Sequence, residues 1–424
     1  MFTKNASAVF SFSSIMNYVR NLQLAYHIRI SLMGFVVMVF FVTQVFSGIY
    51  LSFSVVPETM IIPVVRDLED VEILFMDDFF WIHERGIDYI FIFVYIHMLR
   101  KLYLLNFYYE QEFAWKSGIF LLMFTQIVTF LGLVLCSTHL SDITLKIASN
   151  TMHTLVFFKS KVYWWLFTDK NLNTDTLLRL AYAHYLTGFI ILTFAFMHAF
   201  DMHYDWKADA NYDGLKNQLQ WWNEALTNEL AFCGEILILT FLITSWLYHE
   251  PETLSYEIFM WGDVGAIIDP NFNQVAPHWY FRPLMAFLLV IPHALLGVFG
   301  LVLFFVLLYH QPTFYRSSEL NNYVYKTYKF STRRKFQKYF NRNKTMNDYN
   351  FLYQLLFFFF VMACMYTTTF LPNGKYYQVL GGNEGMLGAY FFILIYLAYP
   401  LYKAWYLRIM IPNEFIRMYQ FKLY

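Results

Sequence analysis

The chain is poor in charge. Only 14% of its 424 residues are Asp, Glu, Lys or Arg, against about 25% in an ordinary globular protein. So few charges cannot cover the surface of a soluble protein of this length, which excludes a soluble enzyme. Thirty basic residues balance thirty acidic ones, so no net field draws the chain to nucleic acid. Cysteine is scarce as well. Cys136, Cys233 and Cys364 lie far apart in sequence, which excludes a disulfide scaffold and a paired zinc or redox site. No Cys-x-x-Cys-His occurs, so covalent cofactor attachment through that motif is excluded too. The opening segment MFTKNASAVFSFSSIMNYVRN has neither the order of a signal peptide nor the arginine-rich character of a transit peptide. Synthesis inside an organelle would account for both absences.

Apolar side chains take the place of the missing charge. They make up 58% of the chain, aromatics alone 22%, and mean hydropathy is +0.40. That is the composition of a polytopic membrane protein, and its expected class is all-α. A span needs about 20 apolar residues to cross about 30 Å of hydrocarbon. No charged residue occurs in 31–57, 117–141, 180–200, 283–315, 349–374 or 385–402, and each stretch can hold one helix. Two further stretches follow the same logic: 89–108, interrupted by Arg100 and Lys101, and 230–248, interrupted by Glu235. Eight helices, A to H, are therefore expected within one membrane domain. Helices A–D occupy residues 1–210, and helices E–H occupy 211–424.

Basic residues orient the bundle. Nine of the thirty fall in 316–344, between helices F and G. The loop 311–348 that holds them, the N-terminal segment and the Arg100–Lys101 turn share one side, the cytoplasmic or matrix (N) side. The charge run reads as a solvated topogenic loop rather than a binding patch. Polar stretches at 138–178 and 249–282, rich in Trp, Tyr and Phe, lie on the opposite (P) side.

Histidines inside membrane spans are costly, and each is a functional hypothesis. His83 and His97 lie fourteen residues apart on helix B, and so do His184 and His198 on helix D. Fourteen residues make about 3.9 turns and a rise of about 21 Å, so each pair projects from nearly one face at two membrane depths. Both helices start on the P side, which brings His83 opposite His184 and His97 opposite His198. Chance gives roughly a third of a pair at any one spacing for twelve histidines. His139 and His153 also lie at this spacing, but in a polar stretch, and read as coincidence. Neutral imidazole is a strong iron ligand, and two axial imidazoles suit electron-carrying haem with no open position. Gly34 and Gly48 in helix A, and Gly118 and Gly132 in helix C, repeat the same spacing. Glycine lets another body approach the backbone closely, as two flat porphyrins at two depths require.

These residues resemble the mitochondrial cytochrome b family over nearly the whole chain. The resemblance rests on His83…His97 followed by Arg100, on Gln44 four residues before Gly48, and on Arg179 five before His184. It extends to His203 five after His198, to Pro277-His278-Trp279-Tyr280 where the family has Pro-Glu-Trp-Tyr, and to Ile291-Pro292. The equal fourteen-residue spacings in a single chain are similar to the respiratory rather than the photosynthetic type. The resemblance implies a four-helix bundle with two non-covalent b-type haems, followed by helices E–H. His83 and His184 would ligate the low-potential P-side haem, and His97 and His198 the high-potential N-side haem. Arg100 would neutralise a haem propionate, with Gln44 and the four glycines completing the cofactor cradle. Quinol would be oxidised at a P-side site containing His278 and Tyr280, and ubiquinone reduced at an N-side site. A quinone reduced there gains two protons, so an imidazole and a carboxylate, His203 and Glu229, are expected to face it, with Glu224 as the competing acid. Implied partners are a Rieske-type iron–sulfur protein, a c-type cytochrome, other complex III subunits and a second copy of the complex, in the mitochondrial inner membrane.

Several positions depart from the family. His278 replaces the signature glutamate, and histidine can take a proton from quinol in its place. Phe80 stands where a propionate-binding arginine is usual. Leu-Val-Leu-Cys-Ser-Thr-His-Leu-Ser follows Gly132 in place of the usual Pro-Trp-Gly, and the Asn-Asn-Pro run after helix D is missing. The competing reading is a transporter or channel with a histidine proton relay, which requires acidic partners within the spans.

Overall fold

A long apolar run in lipid must satisfy its own backbone, and the helix does so within one segment. The computed structural model describes residues 33–53, 76–104, 112–135, 141, 144–146, 148–149, 174–204, 233–240, 278–291, 293–317, 351–368 and 382–409. All regular structure among the described residues is helical. The helices are α1 (Met33–Ser52), α2 (Met76–Leu104), α3 (Glu112–Leu135), α4 (Thr174–Tyr204), α5 (Arg282–Val290), α6 (Ala294–Tyr309), α7 (Phe351–Thr368) and α8 (Gly382–Ile409). Residues 233–240 and 311–317 are helical as well. Among the described residues, four helices are long and apolar enough to cross a membrane: α1, α3, and the greater part of α4 and of α8. A fifth crossing results if α6 and the short helix after it form one span bent by 57°.

Three expectations need adjustment. Helix α2 begins at Met76, seven residues before the His83 start expected for helix B, and so takes in Asp77, Asp78, Glu84, Arg85 and Asp88 beyond the apolar stretch 89–108. Counting apolar residues stops at a charge, whereas helix propagation does not. The run 283–315 is not one helix. Ile291 is extended (φ −82°, ψ 117°), because a following proline, here Pro292, disfavours the α conformation of its predecessor. The chain therefore folds back as an α5–α6 hairpin. Its closest approach is at Gly297, where a methyl group would lie 2.8 Å from the Phe287 carbonyl oxygen. The basic loop expected over 311–348 starts as helix over 311–317, and its remainder lies outside the described residues.

Helix α1 packs on α2, α3 packs on α4, and α1 also meets α4. Phe40, Phe41, Ile90, Phe93, Leu121 and Ile191 fill the middle of this bundle. Helices α5–α8 join through a second core containing Phe91, Trp115, Tyr280, Leu308, Phe360 and Leu397. Trp115 ties the two parts together, its buried Nε1 donating to the Leu308 carbonyl at 2.8 Å. Large apolar side chains such as Phe46, Leu186 and Ile395 lie about two-thirds exposed on the outside. That exterior suits lipid rather than water.

Candidate functional site

The two histidine pairs meet at two levels of the bundle. Ring centres of His83 and His184 are 6.3 Å apart with planes crossing at 78°; those of His97 and His198 are 6.5 Å apart at 85°. Two imidazoles bonded to one metal ion at about 2 Å each place their ring centres about 6 Å apart. Both pairs come from the first and last parts of α2 and α4, so these helices run parallel.

Each histidine lies against one glycine of the neighbouring helix. A methyl group on Gly48 would sit 2.9 Å from His83 Cε1, and one on Gly132 2.9 Å from His184 Cε1. The corresponding distances are 3.1 Å for Gly34 to His97 and 3.1 Å for Gly118 to His198. The glycines thus do more than leave room for a flat group. They let the imidazoles lean against the helix backbones, in an order that makes α1 antiparallel to α2 and α3 antiparallel to α4.

Hydrogen bonds at Nδ1 set the tautomer. His83 Nδ1 lies 3.0 Å from the Gln44 carbonyl oxygen, and His184 Nδ1 lies 2.9 Å from that of Val128. A carbonyl only accepts, so Nδ1 carries the hydrogen and Nε2 keeps the lone pair that a metal needs. Two serines that sequence reasoning missed contribute here. Ser47 Oγ lies 3.0 Å from His83 Nδ1, and Ser117 Oγ 2.9 Å from His198 Nδ1. Each hydroxyl donates to the carbonyl three residues earlier, Gln44 or Ala114, which leaves its oxygen to accept from the imidazole. The available signal was the dipeptide Ser-Gly, present at both 47–48 and 117–118.

Gln44 braces the His83–His184 level from α1. Its Nε2 donates to the His83 carbonyl at 2.6 Å, and its Oε1 lies against Gly86. At the other level a cavity of about 60 Å³ is lined by His97, Lys101, Trp115, Gly118, Leu122 and His198. Lys101, one turn after His97, was not foreseen there. Arg100 Nε is buried with no hydrogen-bond partner among the described residues, an orphaned donor that suits a carboxylate. The glycine cradles at both levels, with this donor beside the His97–His198 level, fit a haem at each.

A loop from the second half of the chain approaches α2 between the two histidine levels, at Asp88, Phe91 and Tyr95. Tyr280 stacks on Phe91 at 4.5 Å, His278 stacks on Tyr280 at 5.4 Å, and Trp279 Nε1 donates to Asp88 Oδ1 at 2.8 Å. Asp88 is another group that sequence reasoning missed, since it precedes the apolar stretch 89–108. His203 lies on the last turn of α4, with only its backbone described. Glu229 and Glu224 lie outside the described residues.

Comparison with known proteins points to one family. A family model described as cytochrome b/b6/petB matches residues 10–206, and one described as cytochrome b (C-terminal)/b6/petD matches residues 270–336. Cytochrome b of Cyanidium caldarium is 28% identical over 287 residues, 66% of this chain and 71% of that protein. Cytochrome b of Dictyostelium citrinum is 27% identical over 304 residues, 70% and 75% of the two chains. In three dimensions the fold is similar to a chain of a hyperthermophilic respiratory complex III, with a TM-score of 0.62 and 18% identity over 87% of this chain and 90% of that one. The two family-model matches and the curated relatives agree, and the chain belongs to the cytochrome b/b6 family.

Proposed function

We propose that this chain is the dihaem b-type cytochrome subunit of a quinol:cytochrome c oxidoreductase. It would oxidise quinol on the P side and reduce ubiquinone on the N side, contributing to a proton gradient across the mitochondrial inner membrane. The observation that best supports this reading is the pair of facing histidines at each of two levels, with ring centres 6.3 and 6.5 Å apart. Residues 1–210 would form the haem-carrying four-helix bundle, and 211–424 the remaining helices of an eight-helix fold. The P-side loop and the basic N-side loop belong to that second region.

Bound between the histidine pairs, two b-type haems supply one-electron carriers at two membrane depths. The protein's share of the work is positional. His83 and His184 hold the P-side haem, His97 and His198 the N-side one, and Arg100 meets a carboxylate of the latter. Aromatic packing between the levels excludes water. On the P side His278 and Tyr280 border the quinol site. On the N side His203 and Glu229 would serve the two carbonyls of a bound quinone and deliver its protons. Iron–sulfur and c-type centres would sit on partner chains, a Rieske-type protein and a cytochrome c subunit, in a dimeric complex.

Reduced-minus-oxidised spectra of the membrane complex test the reading. Wild type should give two b-type components. His97 or His198 variants should lose the N-side one while keeping part of the other, and His83 or His184 variants the reverse. Equal loss of both components from every variant, in inserted protein, would contradict the pairing. Glu229→Gln should slow reoxidation of the N-side haem with haem content intact. A wild-type rate there, with collapse in Glu224→Gln, would transfer the acid role to Glu224.

The proton-relay alternative's requirement for acidic residues is met in part, because α2 does carry carboxylates. Glycines leaning on four paired histidines are nonetheless superfluous in a relay and needed in a haem cradle.

A further inference from the structure

Quinol oxidation releases protons at the P-side site, so a proton acceptor must stand beside it. The loop residue best placed by sequence is His278. Burial, and then the charges of Arg282 and Arg85, hold its imidazole at about 4. It is therefore neutral at physiological pH and a reluctant acceptor, suited to hydrogen bonding. Asp88 is different in kind. It is a carboxylate on α2, and on the reading of that helix as a membrane span its placement is costly and calls for a function. It stands five residues after His83 on α2. One of its oxygens is held by Trp279 Nε1 at 2.8 Å, directly next to His278 in the chain. The residue is only part-buried, so it is not sealed from a substrate. Arg85 on α2 is within electrostatic reach of both Asp88 and His278; among the described residues, Glu84 on the same helix faces Asp88, and Arg282 at the start of α5 faces His278.

We propose that Asp88 is the proton acceptor of the P-side quinol site, a catalytic residue presented by α2 and oriented by Trp279. This rests on the reading of the chain as a quinol oxidoreductase subunit. The quinol O–H bond breaks and its proton passes to the Asp88 carboxylate. The accompanying electron passes to the one-electron oxidant on the partner iron–sulfur protein. Neutral His278 accepts or donates a hydrogen bond to hold the quinol in place.

The test uses the intact membrane complex with a short-tailed ubiquinol and cytochrome c. Asp88→Asn keeps an oxygen for Trp279 but cannot take a proton. Because a positioned general base contributes about 10²–10⁴-fold, the rate should fall by about 100-fold with both haem components retained. Asp88→Asn combined with His278→Glu returns a carboxylate beside Trp279 and should recover most of the rate. Asp88→Asn at the wild-type rate would reduce Asp88 to a brace for Trp279 and overturn the proposal, as would a slow variant that His278→Glu fails to restore. An infrared difference spectrum taken on adding ubiquinol gives an independent readout. A carboxylic C=O band should form in wild type and move in Asp88→Glu; an identical band in both overturns the proposal. Loss of quinol oxidation or of the two haem components in the wild-type complex would instead sink the underlying reading.

Discussion

At the scale of single residues, the glycines and serines around the histidines matter as much as the histidines. A methyl group at Gly48 or Gly132 would already approach an imidazole carbon at 2.9 Å, closer than at Gly34 or Gly118. Gly48→Val and Gly132→Val should therefore abolish or broaden the P-side haem component, while Gly34→Ala and Gly118→Ala perturb the N-side one less. Low-temperature spectra of each variant check this. Unchanged spectra in Gly48→Val would mean that the imidazole moves freely, contrary to its Nδ1 bonds to Gln44 and Ser47. The histidine and glycine positions were legible from spacing, because a helix converts fourteen residues into one face at two depths. The serines were not. A hydroxyl beside a glycine acquires meaning only when a ring from another helix arrives 2.9–3.0 Å away.

At the scale of elements, α2 and the α5–α6 hairpin show where reading runs of apolar residues stops working. The charged first turns of α2 remain helical because its packing against α1 and the P-side loop supports them. The hairpin follows from a local rule, the restriction before Pro292, acting within an otherwise continuous apolar run. Trp115 then joins the hairpin to α3 by a hydrogen bond that no local rule foretells. Trp115→Phe removes that donor and leaves the Leu308 carbonyl buried without it, at a cost of about 1–3 kcal/mol. Thermal denaturation in detergent should show a lower Tm with both haem components still present. An unchanged Tm would show that the contact is redundant.

At the scale of the whole molecule, the apolar exterior defines the solvent. Ile395, 65% exposed near the middle of α8, is positioned to face hydrocarbon. Ile395→Arg should raise the cost of insertion by about 3–4 kcal/mol, visible as reduced integration in a membrane-insertion assay. Equal integration would place this face against protein or water. Sequence by itself determined the membrane class, the helical class and the two-depth histidine pattern, since composition and periodicity are properties of one segment at a time. Tertiary structure decided which imidazole leans on which glycine and that Trp279 reaches Asp88 across 191 residues. It also decided that Trp115 reaches Leu308 across 193. Such contacts depend on how helices distant in sequence settle against one another, and packing of whole surfaces, not local propensity, sets that arrangement.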